Sequence, residues 1–174
     1  MKRLIPFVLA MFPALASAQS GHFDNTPIRS FDLSEYLGTW YEIARFDHSF
    51  ERGMEGVTAE YSLRDDGRVD VINSGWKDGN YKVANGKARQ REPMENPAHL
   101  EVSFFLFFYS DYNVMMLDDM YRVALVGSSS PGYLWILSRT PQIDESTKNA
   151  ILKEAQHRGY DTSALIWVNQ DRNM

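Results

Sequence analysis

Residues 38–46, Gly-Thr-Trp-Tyr-Glu-Ile-Ala-Arg-Phe, decide the fold, because they begin a succession of short apolar or alternating segments that continues to residue 138. In Val57-Thr58-Ala59-Glu60-Tyr61 apolar and polar side chains alternate, as in a strand with one buried face. Turn signals such as Asp66-Gly67 separate the segments. Eight strands are predicted, at residues 39–46, 57–63, 69–76, 81–90, 100–105, 112–117, 121–126 and 134–138. Asn85-Gly86 falls inside the fourth of them, so we expect that strand to be broken or bulged there.

One helix and one further strand follow. Asp144 is a good N-cap, an apolar stripe around Ile151 comes next, and Gly159 suits the position after the helix. Residues 165–168 are predicted to form a short closing strand. The fold class is therefore all-β: an eight-stranded antiparallel up-and-down barrel with one C-terminal α-helix. A barrel of this size either holds one small ligand or is packed solid with side chains.

The N-terminal stretch is predicted to be a signal peptide rather than part of the fold. Met1-Lys2-Arg3 is basic, residues 4–15 are apolar, and Ala16-Ser17-Ala18 has the small-x-small pattern of a cleavage site. The apolar run is too short to span a bilayer, which needs roughly 20 residues. We expect residues 1–18 to be removed, leaving residues 19–174 as a single exported domain.

Composition excludes several function classes. The 174 residues carry 18 basic and 23 acidic side chains, a net charge of −5 that argues against a nucleic-acid partner. There is no cysteine, which excludes disulfides, cysteine-ligated metals, a thiol nucleophile and a thioether lipid anchor. The four histidines have no metal-ligating spacing, and no Gly-x-Ser-x-Gly or phosphate-binding loop occurs. We expect no metal, no cofactor and no catalytic residue.

Three motifs together resemble the lipocalin family. Gly38-Thr39-Trp40 resembles the family's first signature, and Asp118-Asp119-Met120-Tyr121 resembles the second, with Asp118 where Thr is usual. Residues 135–141, Trp-Ile-Leu-Ser-Arg-Thr-Pro, resemble the third. The chain is most similar to the bacterial, outer-membrane group of lipocalins and to apolipoprotein D. By this resemblance Gly38, Trp40 and Arg139 form a structural motif in which the arginine lies across the indole at the closed end of the barrel.

The resemblance also implies a cavity inside the barrel. Apolipoprotein D lines its pocket at positions that match Tyr61, Asn73 and Trp135. Val71 shares a strand face with Asn73, and Leu137 shares one with Trp135. The complete expected wall is Tyr61, Val71, Asn73, Val102, Phe104, Val114, Met116, Trp135 and Leu137. The alternative is that these side chains fill a dry core.

An aromatic run at residues 104–109 cannot face inward throughout, because side chains of a strand alternate between its faces. We expect it to form the rim of the cavity or a contact with a second copy in a homodimer, and packing in the core is the alternative. A peripheral contact with a membrane is also expected of an envelope protein of this kind.

The resemblance implies non-catalytic binding, storage or transport of one hydrophobic or amphipathic molecule, such as a fatty acid or lysophospholipid. Two alternatives remain: a lipid-modifying enzyme that uses the barrel as its active site, and an envelope interaction module whose barrel is filled. Without cysteine we expect an exported protein, periplasmic or secreted, that is not lipid-anchored through cysteine.

Overall fold

The computed structural model describes residues 23–105 and 108–174. The signal peptide expected over residues 1–18 lies outside the described residues and stays a prediction. The helices are α1 (Leu33–Tyr36) and α2 (Glu145–His157). The strands are β1 (Gly38–Arg45), β2 (Met54–Leu63), β3 (Val69–Lys77), β4 (Asn80–Glu92), β5 (Asn96–Phe105), β6 (Phe108–Leu117), β7 (Val123–Gly127), β8 (Leu134–Ser138) and β9 (Ile166–Trp167).

These strands form one antiparallel sheet that closes on itself. β2 to β8 are neighbours in chain order, β1 follows β8, and β1 also pairs with β2. In the closing pair Trp40 lies opposite Ala59, and Tyr41 lies opposite Ser138 on the other side of β1. The predicted eight-stranded barrel is confirmed, with β9 added to β1. No helix in the described stretches has the length and apolar character needed to cross a membrane.

The strand β4 is continuous through Asn85-Gly86, so the expected break there is wrong. Gly86 pairs with Val71 of β3 in unbroken register. A Cβ atom at Gly86 would lie 2.7 Å from the Phe104 ring and 2.8 Å from the carbonyl oxygen of Ser103. The glycine therefore allows close approach of β5, instead of forming a turn.

Two separate apolar clusters stabilise the molecule. The interior cluster lies inside the barrel and consists of Tyr36, Trp40, Tyr61, Val69, Val71, Ala88, Ala98, Leu100, Val114, Ala124, Val126 and Leu137. The outer cluster lies between the barrel wall and α2, and it includes Ile43, Ala44, Met115, Leu125, Ile136, Ile151 and Ala155. The Asp144 carboxylate caps α2 as expected, accepting from the Thr147 amide at 2.8 Å. The helix thus covers one side of the barrel without entering it.

Among the shifts in strand pairing, those in β1 and β6 change which residues of these two strands face inward. The pairing of β1 with β8 shifts between Glu42 and Ala44, so Ile43 and Ala44 both join the outer cluster and Arg45 turns back to the interior. The pairing of β6 with β7 shifts between Val114 and Met116. After each bulge side chains alternate again, but the positions that would have faced inward now face outward.

The C-terminal segment closes a split in the barrel wall. β1 and β2 are paired only up to Tyr41 and Thr58. Beyond that point the buried Gln170 amide donates to the carbonyl oxygens of Glu42 at 2.7 Å and Val57 at 2.9 Å. Since β9 pairs with the end of β1, residues 165–174 hold the bulged part of β1 in place.

Candidate functional site

Most of the expected cavity residues lie together inside the barrel. Tyr61, Val71, Val114 and Leu137 belong to the buried interior cluster. Val102 and Trp135 are half-buried and pack against it. Asn73 is half-buried on β3, two positions after Val71, and so lies on the same face. The structure therefore places seven of the nine expected residues on the inner face of the barrel. They are Tyr61, Val71, Asn73, Val102, Val114, Trp135 and Leu137.

Met116 and Phe104 are corrections to the expected wall. Met116 pairs with Leu125 beyond the bulge of β6, and both pack in the outer cluster. Phe104 is 43% exposed and lines a surface groove next to Gly86, near the end of β5. The shift in pairing of β6 moves Met116 to the other face, and Phe104 lies at a similar shift between Val102 and Phe105 of β5.

The aromatic run at residues 104–109 lies only partly within the described residues. Phe104 and Phe108 are exposed, and residues 106 and 107 lie outside the described ranges. Its expected role at the cavity rim or in a homodimer contact therefore stays a prediction.

Three tyrosines form a hydroxyl network inside the closed half of the barrel. The Tyr112 hydroxyl lies 2.7 Å from the Tyr36 hydroxyl and 3.0 Å from the Tyr61 hydroxyl. Burial raises the pKa of Tyr61 to about 12 and raises the pKa of Tyr36 and of Tyr112 well above the usual range. All three are neutral at physiological pH, so this half of the interior is aromatic and uncharged.

Farther along β1 the interior is charged. Arg45, 2% exposed, donates from Nη1 to Glu42 Oε1 at 2.6 Å. Its Nη2 donates to the carbonyl oxygens of Glu51 at 2.7 Å and Met54 at 3.3 Å, in the β1–β2 loop and at the start of β2. The Trp135 indole Nε1 donates to Glu51 Oε2 at 3.2 Å. We call Glu42, Arg45 and Glu51 the carboxylate–arginine cluster.

Both carboxyl groups of this cluster are held towards the neutral form. Burial and the neighbouring Glu51 raise the pKa of Glu42 to about 8, against the lowering effect of Arg45. Burial also raises the pKa of Glu51, opposed by the hydrogen bond from Trp135. Glu42 and Glu51 both raise the pKa of Tyr61 as well. These electrostatic effects mean that the two carboxyl groups lie near enough to Tyr61 to act on its hydroxyl.

An aromatic stack forms one side of the same region. The His48 ring lies between Phe50 and Tyr133, with ring centroids at 5.3 and 4.8 Å, and 4.8 Å from the Trp135 ring. Burial, followed by the charge of Arg45, lowers the pKa of His48. The stack joins the β1–β2 loop to the segment before β8, and its outer members Phe50 and Tyr133 are exposed.

This region also contains buried polar atoms that are not hydrogen-bonded to the described part of the chain. Arg45 Nε, His48 Nε2 and Asn73 Oδ1 are buried and have no hydrogen-bond partner in residues 23–105 and 108–174. Burying such an atom unpaired costs about 1–3 kcal/mol. Arg45 Nε is a donor, Asn73 Oδ1 is an acceptor, and His48 Nε2 is either one according to its tautomer.

The opposite end of the barrel is closed by Arg139. Its guanidinium carbon lies 4.0 Å from the centre of the Trp40 ring. It donates to the carbonyl oxygens of Glu35 at 2.8 Å, Thr39 at 2.9 Å and Tyr121 at 3.2 Å. We assign it a structural role at the closed end.

Glu42, Arg45, Glu51 and His48 were not among the residues expected from the sequence. Glu42 has the same strand parity as Trp40, so alternation alone could have placed it inside. Arg45 could not be found in this way, because the bulge at Ile43 reverses the parity after Glu42. Glu51 and His48 lie in a loop, and only tertiary packing brings them to Trp135.

Residues 31–170 of the chain match the lipocalin-like domain. Outer membrane lipoprotein Blc of Escherichia coli (strain K12) is 48% identical over 174 residues, which cover 97% of this chain and 98% of that protein. Apolipoprotein D of Bos taurus is 35% identical over 156 residues, which cover 83% of this chain and 81% of that protein. Insecticyanin from the tobacco hornworm Manduca sexta, a solved structure, aligns with a TM-score of 0.69 at 23% identity over 84% of each chain. That likeness shows the fold alone.

These relatives overturn the expected localisation. Relatives that match most of this chain are named outer membrane lipoproteins. The expectation of a periplasmic or secreted protein without a lipid anchor is therefore wrong. The absence of cysteine is not a sufficient ground for excluding an anchor.

Proposed function

Because this chain belongs to the lipocalin family, we propose that it binds one hydrophobic or amphipathic small molecule inside its barrel, without chemical change. The ligand class is a fatty acid or a lysophospholipid, held for storage or transport. We propose the same cell-envelope setting as that of the relatives named outer membrane lipoproteins, reached through cleavage of residues 1–18.

One observation carries this proposal: the inner surface joins an apolar wall to buried polar atoms that have no partner among the described residues. Val71, Leu137 and Trp135 supply the wall, and Arg45 Nε and Asn73 Oδ1 are the unpaired atoms. An acyl chain gains about 0.8 kcal/mol for each methylene group withdrawn from water. A polar head can satisfy the unpaired atoms, while a purely apolar filling cannot.

Mass spectrometry under non-denaturing conditions tests the proposal directly. Protein purified without detergent is expected to carry one single-chain lipid per chain, or to take up one added lysophospholipid after lipid removal. Recovery of the same lipid unchanged after long incubation separates binding from an enzymatic function. A chain that never takes up a lipid would support a filled barrel and refute the proposal.

A matched pair of variants locates the ligand. Val71 is buried on the interior face, and its neighbour Ile72 is exposed on the outer face. Val71→Phe adds volume inside the barrel and is expected to weaken lysophospholipid binding at least about tenfold, since overpacked sites lose favourable contacts. Ile72→Phe makes the change outside and should leave binding unaltered. Equal effects of the two substitutions would place the ligand elsewhere.

A further inference from the structure

The carboxylate–arginine cluster has an excess of negative charge when both of its carboxyl groups are ionised. One guanidinium faces two carboxylates, and Glu42, Arg45 and Glu51 are 5%, 2% and 7% exposed. Within residues 23–105 and 108–174, Glu42 pairs only with Arg45, and Glu51 forms no ion pair. With both carboxyl groups ionised the cluster carries one net negative charge. A buried excess charge is costly unless a partner of opposite sign is present.

The groups around the cluster do not supply that partner. Both Nη atoms of Arg45 already donate to protein oxygens. His48 is held neutral by burial and by Arg45, and the Tyr61 hydroxyl is neutral as well. The nearby Asp47 and Arg52 pair with each other at 2.6 Å on the exposed surface. With both carboxyl groups ionised, one further cation would therefore neutralise the cluster.

From this geometry we propose that Glu42 and Glu51 form the head-group end of the barrel site, and that they select a single-chain amphiphile with a protonated amine over one with a carboxylate. The inference rests on the proposed function, because it assumes that the tail lies along the apolar wall. It narrows that function to one charge class of ligand.

A ligand with a carboxylate head would bring a third acidic group next to Glu42 and Glu51, which share a single guanidinium, and would be repelled by them. It could reach only Arg45 Nε, the one nitrogen of that side chain without a partner in the described part of the chain. An ammonium head donates up to three hydrogen bonds to the carboxylates, and Asn73 Oδ1 on the inner surface is an acceptor that lacks a donor. A lysophospholipid with a terminal amine fits best, since its phosphate offers an acceptor to Arg45 Nε.

The protonation of the cluster agrees with this assignment. Burial raises the pKa of both carboxyl groups, and the neighbouring Glu51 raises that of Glu42 further. A bound ammonium would reverse that effect and lower both pKa values. Binding of an amine near pH 7.5 is therefore expected to release a proton, whereas binding of a neutral head should not.

Calorimetry with three twelve-carbon ligands tests the selection: dodecylammonium, laurate and monolauroylglycerol, each below its micelle concentration at pH 8.5. We expect the amine to bind at least about tenfold more tightly than laurate, because it gains a close charge pair that laurate cannot form. The affinity of the neutral glycerol ester should lie between these two. Glu42→Gln/Glu51→Gln should reduce that ratio to about twofold or less. Glu60→Gln removes one carboxylate from the exposed face of β2 and should leave the ratio unchanged.

The outcomes separate the two proposals. If the neutral ester binds and laurate binds as well as the amine, head-group selection is wrong while barrel binding stands. If the selection persists in the double variant, the amine is recognised elsewhere and the assignment to Glu42 and Glu51 fails. If none of the three ligands binds, both proposals fail. Should the double variant not fold, Glu51→Gln alone, in the β1–β2 loop, is expected to reduce the ratio at least about threefold.

Proton release is an independent readout. The amine is titrated near pH 7.5 in phosphate and in Tris, whose heats of ionisation differ. The apparent binding enthalpy should differ between the two buffers for the wild-type protein and not for the double variant. Equal enthalpies for the wild-type protein would contradict a role for protonated carboxyl groups in the site.

Discussion

The Arg139 guanidinium covers the Trp40 indole ring at 4.0 Å and joins three chain segments through their carbonyl oxygens. The Trp40 indole in turn donates to the carbonyl oxygen of Tyr36 at 2.8 Å. A half-buried cation over an indole contributes on the order of 1–2 kcal/mol, and each hydrogen bond adds to that. The pair holds α1 across the end of the barrel.

Arg139→Ala is expected to lower the free energy of unfolding by about 1–3 kcal/mol, because it uncovers Trp40 and leaves carbonyl oxygens without donors. Chemical denaturation measures this. Arg122→Ala is the control, since Arg122 is an exposed side chain whose ion pair with Asp118 is worth little. Lysophospholipid affinity should be unchanged in both variants. A loss of affinity at unchanged stability would mean that Arg139 contacts the ligand.

The tyrosine network predicts an unequal effect of two similar substitutions. Tyr112→Phe removes the hydroxyl that both Tyr36 and Tyr61 contact, so it breaks two hydrogen bonds. Tyr61→Phe breaks only one of them. We expect Tyr112→Phe to cost about 1–3 kcal/mol more than Tyr61→Phe, because two buried hydroxyls lose their partner. Equal losses in urea denaturation would show that the network does not act as a unit.

Glu42 predicts how stability depends on pH. Its pKa is raised from 4.5 to about 8 in the folded protein. Between these values the folded state binds more protons than the unfolded state, so the free energy of unfolding falls as pH rises from about 4.5 to about 8 and then levels off. Glu42→Gln should lose less stability than the wild-type protein between pH 5 and pH 9. Glu60→Gln is the control, and a wild-type-like pH profile for Glu42→Gln would disprove the assignment.

The sequence predicted the barrel well, because strand alternation and turn signals are local. Val57, Ala59 and Tyr61 follow period-2 alternation, and only the middle residue is less than fully buried. Local patterns could not predict the bulge at Ile43, since Ile43 and Ala44 are both apolar and suit either face. That bulge places Arg45 inside, so the charged half of the site was missed.

The errors at Met116 and Phe104 have related causes. Residues 114–117, Val-Met-Met-Leu, are apolar on both faces, and only the shift in pairing between Val114 and Met116 determines which side chain faces α2. Phe104 lies at another shift in pairing, between Val102 and Phe105, where Ser103 is buried and Phe104 is exposed, and the sequence does not indicate this shift either. Contacts such as that of Glu51 with Trp135 join residues 84 positions apart and depend on the complete fold.

Trp135 offers the most direct test of ligand position. Its ring packs against the interior cluster, and its Nε1 donates to Glu51 at the charged end of the site. Lysophospholipid added to lipid-free protein should therefore change tryptophan emission saturably. Trp135→Phe should abolish most of this change in emission and keep the fold. Trp167 is exposed and lies outside the barrel, so Trp167→Phe should leave the change in emission intact.

Trp135→Asp extends the same test to affinity. A carboxylate at this position would face both the lipid tail and Glu51, so it is expected to weaken binding by more than about tenfold, because an unpaired charge must be desolvated. Raising the salt concentration from about 50 to about 500 mM should change affinity little, since charges inside the barrel are poorly screened. Isothermal titration measures both effects. Binding that survives Trp135→Asp, or that collapses in salt, would place the ligand on the outer surface of the barrel.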